Sequence, residues 1–170
     1  MITCDIISHS SEETQCLAMR LGALLSGGEL LLLDGQLGTG KTTFTQGLAK
    51  GMGITDVVSS PTFTLLKEYT SQSRSDTENE TRRGLALYHF DLYRLDNPDE
   101  IIDLGFEDYF YGSDVCVIEW AAKADLLWPA ERLHIRLKMI SETERGLLFT
   151  AVGQRYDELL RQFHYATTSS

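Results

Sequence analysis

Proline is scarce in this 170-residue chain, at 3, and its 3 cysteines, Cys4, Cys16 and Cys116, form no Cys-x-x-Cys pair. An odd number of scattered cysteines excludes a disulfide framework and a zinc knuckle and fits free thiols in a reducing compartment. No stretch approaches the about 18 consecutive apolar residues of a membrane span. The opening MITCDIISHSSEET lacks a basic region followed by an apolar one, so the expected compartment is the cytoplasm, with no membrane association. Positive charge is also in short supply: 15 Lys and Arg against 25 Asp and Glu leave a formal charge of -10. That balance disfavours non-specific nucleic-acid binding, although one local basic site can still hold a small anion. No Asn-Lys-x-Asp occurs, which argues against guanine recognition.

What is present is the composition of an ordinary globular protein, 42% hydrophobic and 24% charged. The length suits one domain burying roughly 70% of its unfolded surface. Residues 1 to 9 read as an edge strand. Ser10 and Glu13 form a capping box, and Leu17, Leu21, Leu24 and Leu25 then recur at helical spacing, predicting a helix over 11–26. The run ELLLLD at 29–34 has the pattern of a strand buried on both faces, although a helix fits its periodicity equally well. Strands are expected over 62–69, 85–95 and 115–119. Between the first two, 70–84 contains no hydrophobic residue and reads as a long solvated hairpin loop. Its Asn79-Glu80-Thr81 sequon is read as chance. Asn97 and Pro98 start a short helix that Gly105 ends. An antiparallel hairpin follows over 132–140 and 145–153, then a helix over 154–164 and a frayed tail over 165–170.

Gly35 to Thr42, GQLGTGKT, fits G-x-x-x-x-G-K-[ST] at every fixed position. The loop follows an apolar run and opens a predicted helix, as the chemistry requires. Small residues let backbone N–H groups turn inward around phosphates, and the helix N-terminus adds oriented donors. Lys41 would reach the β- and γ-phosphates, and the Thr42 hydroxyl would coordinate Mg2+. A phosphate loop also calls for an acid at the end of a neighbouring buried strand. Asp91, ending LALYHFD, and Glu119, ending VCVIE, both qualify; the uninterrupted apolar run before Glu119 favours its strand as the central neighbour. The two-residue steps from His89 to Asp91 to Tyr93 put these side chains on one strand face. Trp120 fits either a wall of the nucleotide site or plain core packing.

GQLGTGKTTF, SPTF at 60–63, HFDLYRL at 89–95 and IEW at 118–120 occur in the order seen in the TsaE family, formerly YjeE, and the resemblance spans roughly 10–153. It implies a P-loop ATPase of bacterial tRNA threonylcarbamoyladenosine biosynthesis that binds ATP or ADP with Mg2+. Such proteins act on a TsaB–TsaD complex to allow repeated turnover at adenosine 37 of tRNAs reading A-starting codons, meeting tRNA only indirectly. By the same resemblance, phosphate contacts fall on Gly38, Thr39, Gly40, Lys41, Thr42 and Thr43, and magnesium on Thr42 and Glu119. Thr62 resembles a switch threonine sensing the γ-phosphate, and Asp91 the second acid. Tyr93 and Arg94 belong to the signature. The 70–84 segment is outside it and reads as an insertion in a single ATPase domain over 1–164. The expected architecture is a three-layer α/β P-loop NTPase fold, with a central mostly parallel sheet and an antiparallel C-terminal hairpin. A small-molecule kinase and a non-hydrolysing nucleotide-dependent binding module share these motifs and stay open at this point.

Overall fold

The computed structural model describes residues 1–36, 38–59, 61, 65–71 and 84–168. Thr62, with Ser60 and Phe63 of SPTF, therefore lies outside the described residues, as does 72–83 of the proposed insertion. Seven strands form one sheet: β1 (Ile2–Ser8), β2 (Leu30–Asp34), β3 (Leu66–Thr70), β4 (Ala86–Asp91), β5 (Val115–Glu119), β6 (Arg132–Met139) and β7 (Arg145–Val152). Their order is β1-β7-β6-β2-β5-β4-β3. The parallel part is the central block β6-β2-β5-β4; β7, β1 and β3 join antiparallel at its flanks.

β2 shows why ELLLLD is continuously apolar. Leu31 and Leu33 point into one core with Leu133, Ile135 and Phe149, while Leu30 and Leu32 point into the other with Phe90, Ile118 and Trp128. Helices α1 (Ser11–Leu24), α2 (Lys41–Gly51) and α5 (Gln154–Thr168) cover the first face. The second is covered by α3 (Asp99–Asp103), α4 (Glu107–Phe110) and a 3-10 segment over Ala121–Leu127. Neither α4 nor the 3-10 segment was expected from sequence, because both are too short to show a period. Cys116 packs in the second core, where burial pushes its thiol up to about 12; it is an inert core residue.

Several expected boundaries change: β3 runs to Thr70, one residue past its expected end, and α3 starts at Asp99 with Pro98, not Asn97, as N-cap. Helix α1 ends at Leu24, not 26. Its N-cap is as anticipated on one side, with Ser10 Oγ accepting from Glu13 N–H at 3.0 Å, but the Glu13 carboxylate accepts from the His9 amide instead of that of Ser10. Strand β4 stops at Asp91, so Tyr93 is not on it: Asp91 Oδ1 accepts from Tyr93 N–H at 3.0 Å and turns the chain. Helix α5 continues to Thr168, so 165–168 is helix and not tail. Thr167 and Thr168 donate their hydroxyls to His164 O, and no Gly or Pro interrupts the segment.

Helices α1 and α2 approach until backbones touch. A Cβ on Gly47 would lie 2.4 Å from Gln15 O, and one on Gly51 2.1 Å from Met19 O. This contact seats the helix that begins at Lys41. Gly47→Ala is expected to lower stability by about 1–3 kcal/mol through overpacking, against the about 1 kcal/mol that alanine gains in helix propensity. Urea unfolding checks it: an unchanged or higher midpoint would show that the helices separate without cost.

Candidate nucleotide site

The loop between β2 and α2 lies at the C-terminal ends of the parallel strands, where open α/β sheets bind ligands. Gly38 and Gly40 have φ of 82° and 102°, a region that side chains disfavour, and these turns bring the loop round into α2. Gly40 is the N-cap of α2 and supplies no side-chain cap. An N-cap without a side chain leaves the approach to the first turn of α2 open to an anion.

Lys41 is the first residue of α2 and only 7% exposed. Its ammonium donates to Gly35 O and stands 3.6 Å over the centre of the Trp120 ring. Burial pushes it below the usual lysine value, against the pull of Glu119, Asp91 and Asp34. The sheet register supplies two of those acids: Leu33 pairs with Glu119, and Glu119 with Asp91, so both carboxylates end adjacent strands beside the loop. Glu119, 2% exposed, accepts from His89 Nε2 at 2.6 Å. His89 is fully buried, and its Nδ1 has no partner among the described residues. With a proton on Nε2, His89 fixes one side-chain oxygen of Glu119. Burial, then the charge of Glu119, raises the Asp91 pKa, and the amide of Tyr93 only partly offsets them.

Trp120 adopts φ 59° and ψ 38°, and is the single non-glycine residue with positive φ among the described residues. A bulky side chain held there carries backbone strain of about 1–3 kcal/mol, a feature that clusters at functional sites. The turn places its ring between Lys41 and Tyr93, 5.1 Å from the latter. Trp120 is thus a wall of the site.

A cavity of about 510 Å³ joins these groups. Gly38, Gly40, Lys41, Thr42, Thr43, Asp91 and Glu119, all singled out from the sequence, line it. Thr39 does not: its hydroxyl donates to Gln36 O at 2.7 Å and it faces a different cavity. Sequence reasoning missed Ser10, Ser11 and Glu12 at the start of α1, and Glu142, Thr143 and Arg145 around the β6–β7 turn. Arg145 donates to Gly38 O at 3.3 Å and so ties that turn to the phosphate loop. No local motif marks these residues. The nearest signal was the Ser10 capping box, which located a helix start but not its neighbour.

Sheet order, loop and acids together define a P-loop NTPase fold. A sequence model of the family described as Threonylcarbamoyl adenosine biosynthesis protein TsaE matches residues 8–147. The Bacillus subtilis tRNA threonylcarbamoyladenosine biosynthesis protein TsaE is 45% identical over 151 residues, 89% of this chain and 87% of that one. The Nostoc protein of the same name is 44% identical, covering 91% and 90%. The crystal structure of YdiB from B. subtilis superposes with a TM-score of 0.79 at 38% identity, covering 98% and 97%. The chain belongs to the TsaE family.

The raised Asp91 pKa has a stability consequence. In the folded protein the carboxyl titrates above its unfolded value of 3.8, so its charge costs stability above the folded pKa and costs nothing below the unfolded one. Asp91→Asn keeps an acceptor for the Tyr93 amide and is expected to raise the thermal midpoint at pH 7.5, the gain vanishing as pH falls towards 3.8. Thermal unfolding at several pH values checks this, and a lower midpoint at pH 7.5 would contradict it.

Proposed function

We propose that this chain is the ATP-binding and ATP-hydrolysing component of the cytoplasmic machinery that forms N6-threonylcarbamoyladenosine at position 37 of tRNAs. In this reading it acts on a TsaB–TsaD complex to allow repeated turnover and meets tRNA only through that complex. The observation that carries it is the meeting of Lys41, Glu119 and Asp91 with the Gly38–Gly40 turn in one cavity of nucleotide size. Family membership supplies the process. Among the described residues no helix is long and apolar enough to cross a membrane.

The lining fits a nucleotide accompanied by magnesium. Among the described residues, Glu12, Asp91, Glu119 and Glu142 face only Lys41 and Arg145 as basic groups, so a polyphosphate entering alone would meet excess negative charge. Among the described residues no three His, Cys, Asp or Glu side chains converge as a self-sufficient metal cage. That donor set suits Mg2+, which takes few protein oxygens and keeps phosphate and water ligands. Thr42 and Glu119 would hold it, with Asp91 at its water shell. When bound, the ion neutralises charge on the phosphates.

The chain's own groups have separable tasks. First-turn amides of α2 and the loop amides orient the phosphates. Lys41 leaves Gly35 O and the Trp120 ring and places its charge where negative charge develops on the transferred phosphoryl group. His89 Nε2 fixes the orientation of the Glu119 side chain. Asp91, beside it, orients the attacking water. Thr62 is proposed as the γ-phosphate sensor from the family signature alone.

Phosphate release from Mg-ATP, with the protein alone and with a TsaB–TsaD complex, tests the proposal. Release should rise with the complex. Lys41→Ala should weaken nucleotide binding roughly tenfold or more, the size of one charge-assisted contact, and abolish turnover. Glu119→Gln should keep most of the binding and lose about 100-fold in turnover. Wild-type turnover in both variants would overturn the site, and phosphate transfer to a metabolite in place of water would identify a kinase.

A further inference from the structure

The helical layers cover the sheet unevenly. On the second face, α3, α4 and the 3-10 segment pack over β2, β5 and β4, and no residue of β1, β6 or β7 joins that core. The side chains of those three strands that point away from the first core therefore form an open sheet surface among the described residues. On β6 the inward residues are Leu133, Ile135 and Leu137. The alternating outward ones are Arg132, His134, Arg136 and Lys138, every one basic or imidazole, in a chain of net charge -10.

Two of these four are occupied: Arg132 donates to Pro129 O, and His134 pairs with Asp34 at 2.5 Å. Arg136 and Lys138 are exposed and make no hydrogen bond or ion pair among the described residues. On the β2 side Arg136 pairs in register with Asp34, which His134 already holds. On the β7 side Arg136 lies opposite Leu148, with Asp5 beyond it, and Lys138 lies opposite Gly146, which in turn faces Ile7, 50% exposed. A Cβ on Gly146 would lie 3.4 Å from the Lys138 stem and 3.5 Å from Ile140 Cδ1, so both side chains lie across the glycine. Ile140 and Met139 are 46% and 55% exposed. The result is a groove of about 590 Å³, and one wall of it is the outer side of the phosphate loop at Gly35, Gln36 and Thr39.

We propose that this groove over β6 and β7 docks an amphipathic helix of a partner protein, its acidic side chains pairing with Arg136 and Lys138 and its apolar ones covering Leu148, Ile7 and Ile140. Such a helix would complete the missing part of the outer layer. The exposed apolar residues, with Asp5 and Asp34 also in the groove, suit a protein segment that has both apolar and charged side chains better than a phosphodiester backbone. A second copy is disfavoured because each chain carries -10. An occupant would touch the outside of the loop whose inner side holds nucleotide, which gives a partner a direct contact through which to alter turnover. Identifying the partner as the TsaB–TsaD complex rests on the function proposed above; the surface itself does not.

The test uses Arg136→Glu/Lys138→Glu, with Arg136→Gln/Lys138→Gln as the neutral control. Affinity for the TsaB–TsaD complex, by surface plasmon resonance, should fall at least tenfold in the reversal and less in the control, with Mg-ADP affinity unchanged. If wild type binds the complex and the reversal binds within twofold of it, the docking surface is overturned. If wild type does not bind the complex, it is the proposed function that fails. The surface is then judged by amide shifts of the labelled full chain on adding a synthetic Glu/Leu amphipathic helical peptide. Shifts on β6 and β7 that the reversal abolishes support the groove; shifts elsewhere, or none, overturn it. Loss of tRNA binding in the reversal, or self-association of wild type removed by it, would assign the face to RNA or to a second copy and also overturn the proposal.

Discussion

The structure turns on keeping one ammonium group, that of Lys41, largely out of water at the end of a parallel sheet. A buried cation is tolerated only with compensating partners, and each of its partners comes from a different part of the fold. Gly35 O comes from the loop, the Trp120 ring from the turn after β5, and the charges of Glu119 and Asp91 from the ends of adjacent strands. Register brings the carboxylates to the same level as the loop, because Leu33, Glu119 and Asp91 pair across β2, β5 and β4. Burial disfavours the charged form of both groups, so the Lys41 pKa is lowered and the Asp91 pKa raised, each against the attraction of opposite charges nearby.

Support for this arrangement lies one layer further out. His89 fixes Glu119 from within the sheet, and Trp120 holds a left-handed backbone that aims its ring at Lys41. Glycines on α1 and α2 bring the two helices into backbone contact, which places the start of α1 beside the loop. These residues position groups that meet the ligand.

How much could be read beforehand depends on whether a feature is local. The loop, its helix and the two acids are contiguous patterns whose chemistry dictates their spacing, and the structure brings Lys41, Thr42, Asp91 and Glu119 to one cavity. The mixed sheet was legible too, because hydrophobic runs of different length separate buried from edge strands. Tyr93 was misplaced because alternation says nothing about where a strand stops; the Asp91 side chain ends it by capping the Tyr93 amide. Arg145 and Ser10 reach the site only through the β6–β7 turn and the α1–α2 contact, both long-range consequences of packing. Thr39, a variable position of the loop motif, has its hydroxyl held by Gln36 O and lines a different cavity, a side-chain direction that the motif does not encode. The backbone of Trp120 carries no sequence signal, since a tryptophan after a buried strand is ordinarily a packing residue.

The central proposal is that the cavity holds a nucleotide together with a divalent cation, because among the described residues its lining carries four carboxylates against two basic groups. Calorimetric titration of ADP into the wild-type protein, with Mg2+ and then with EDTA, tests it most directly. The account predicts binding that is markedly tighter with Mg2+. Equal affinity in both conditions, or tighter binding in EDTA, would contradict it.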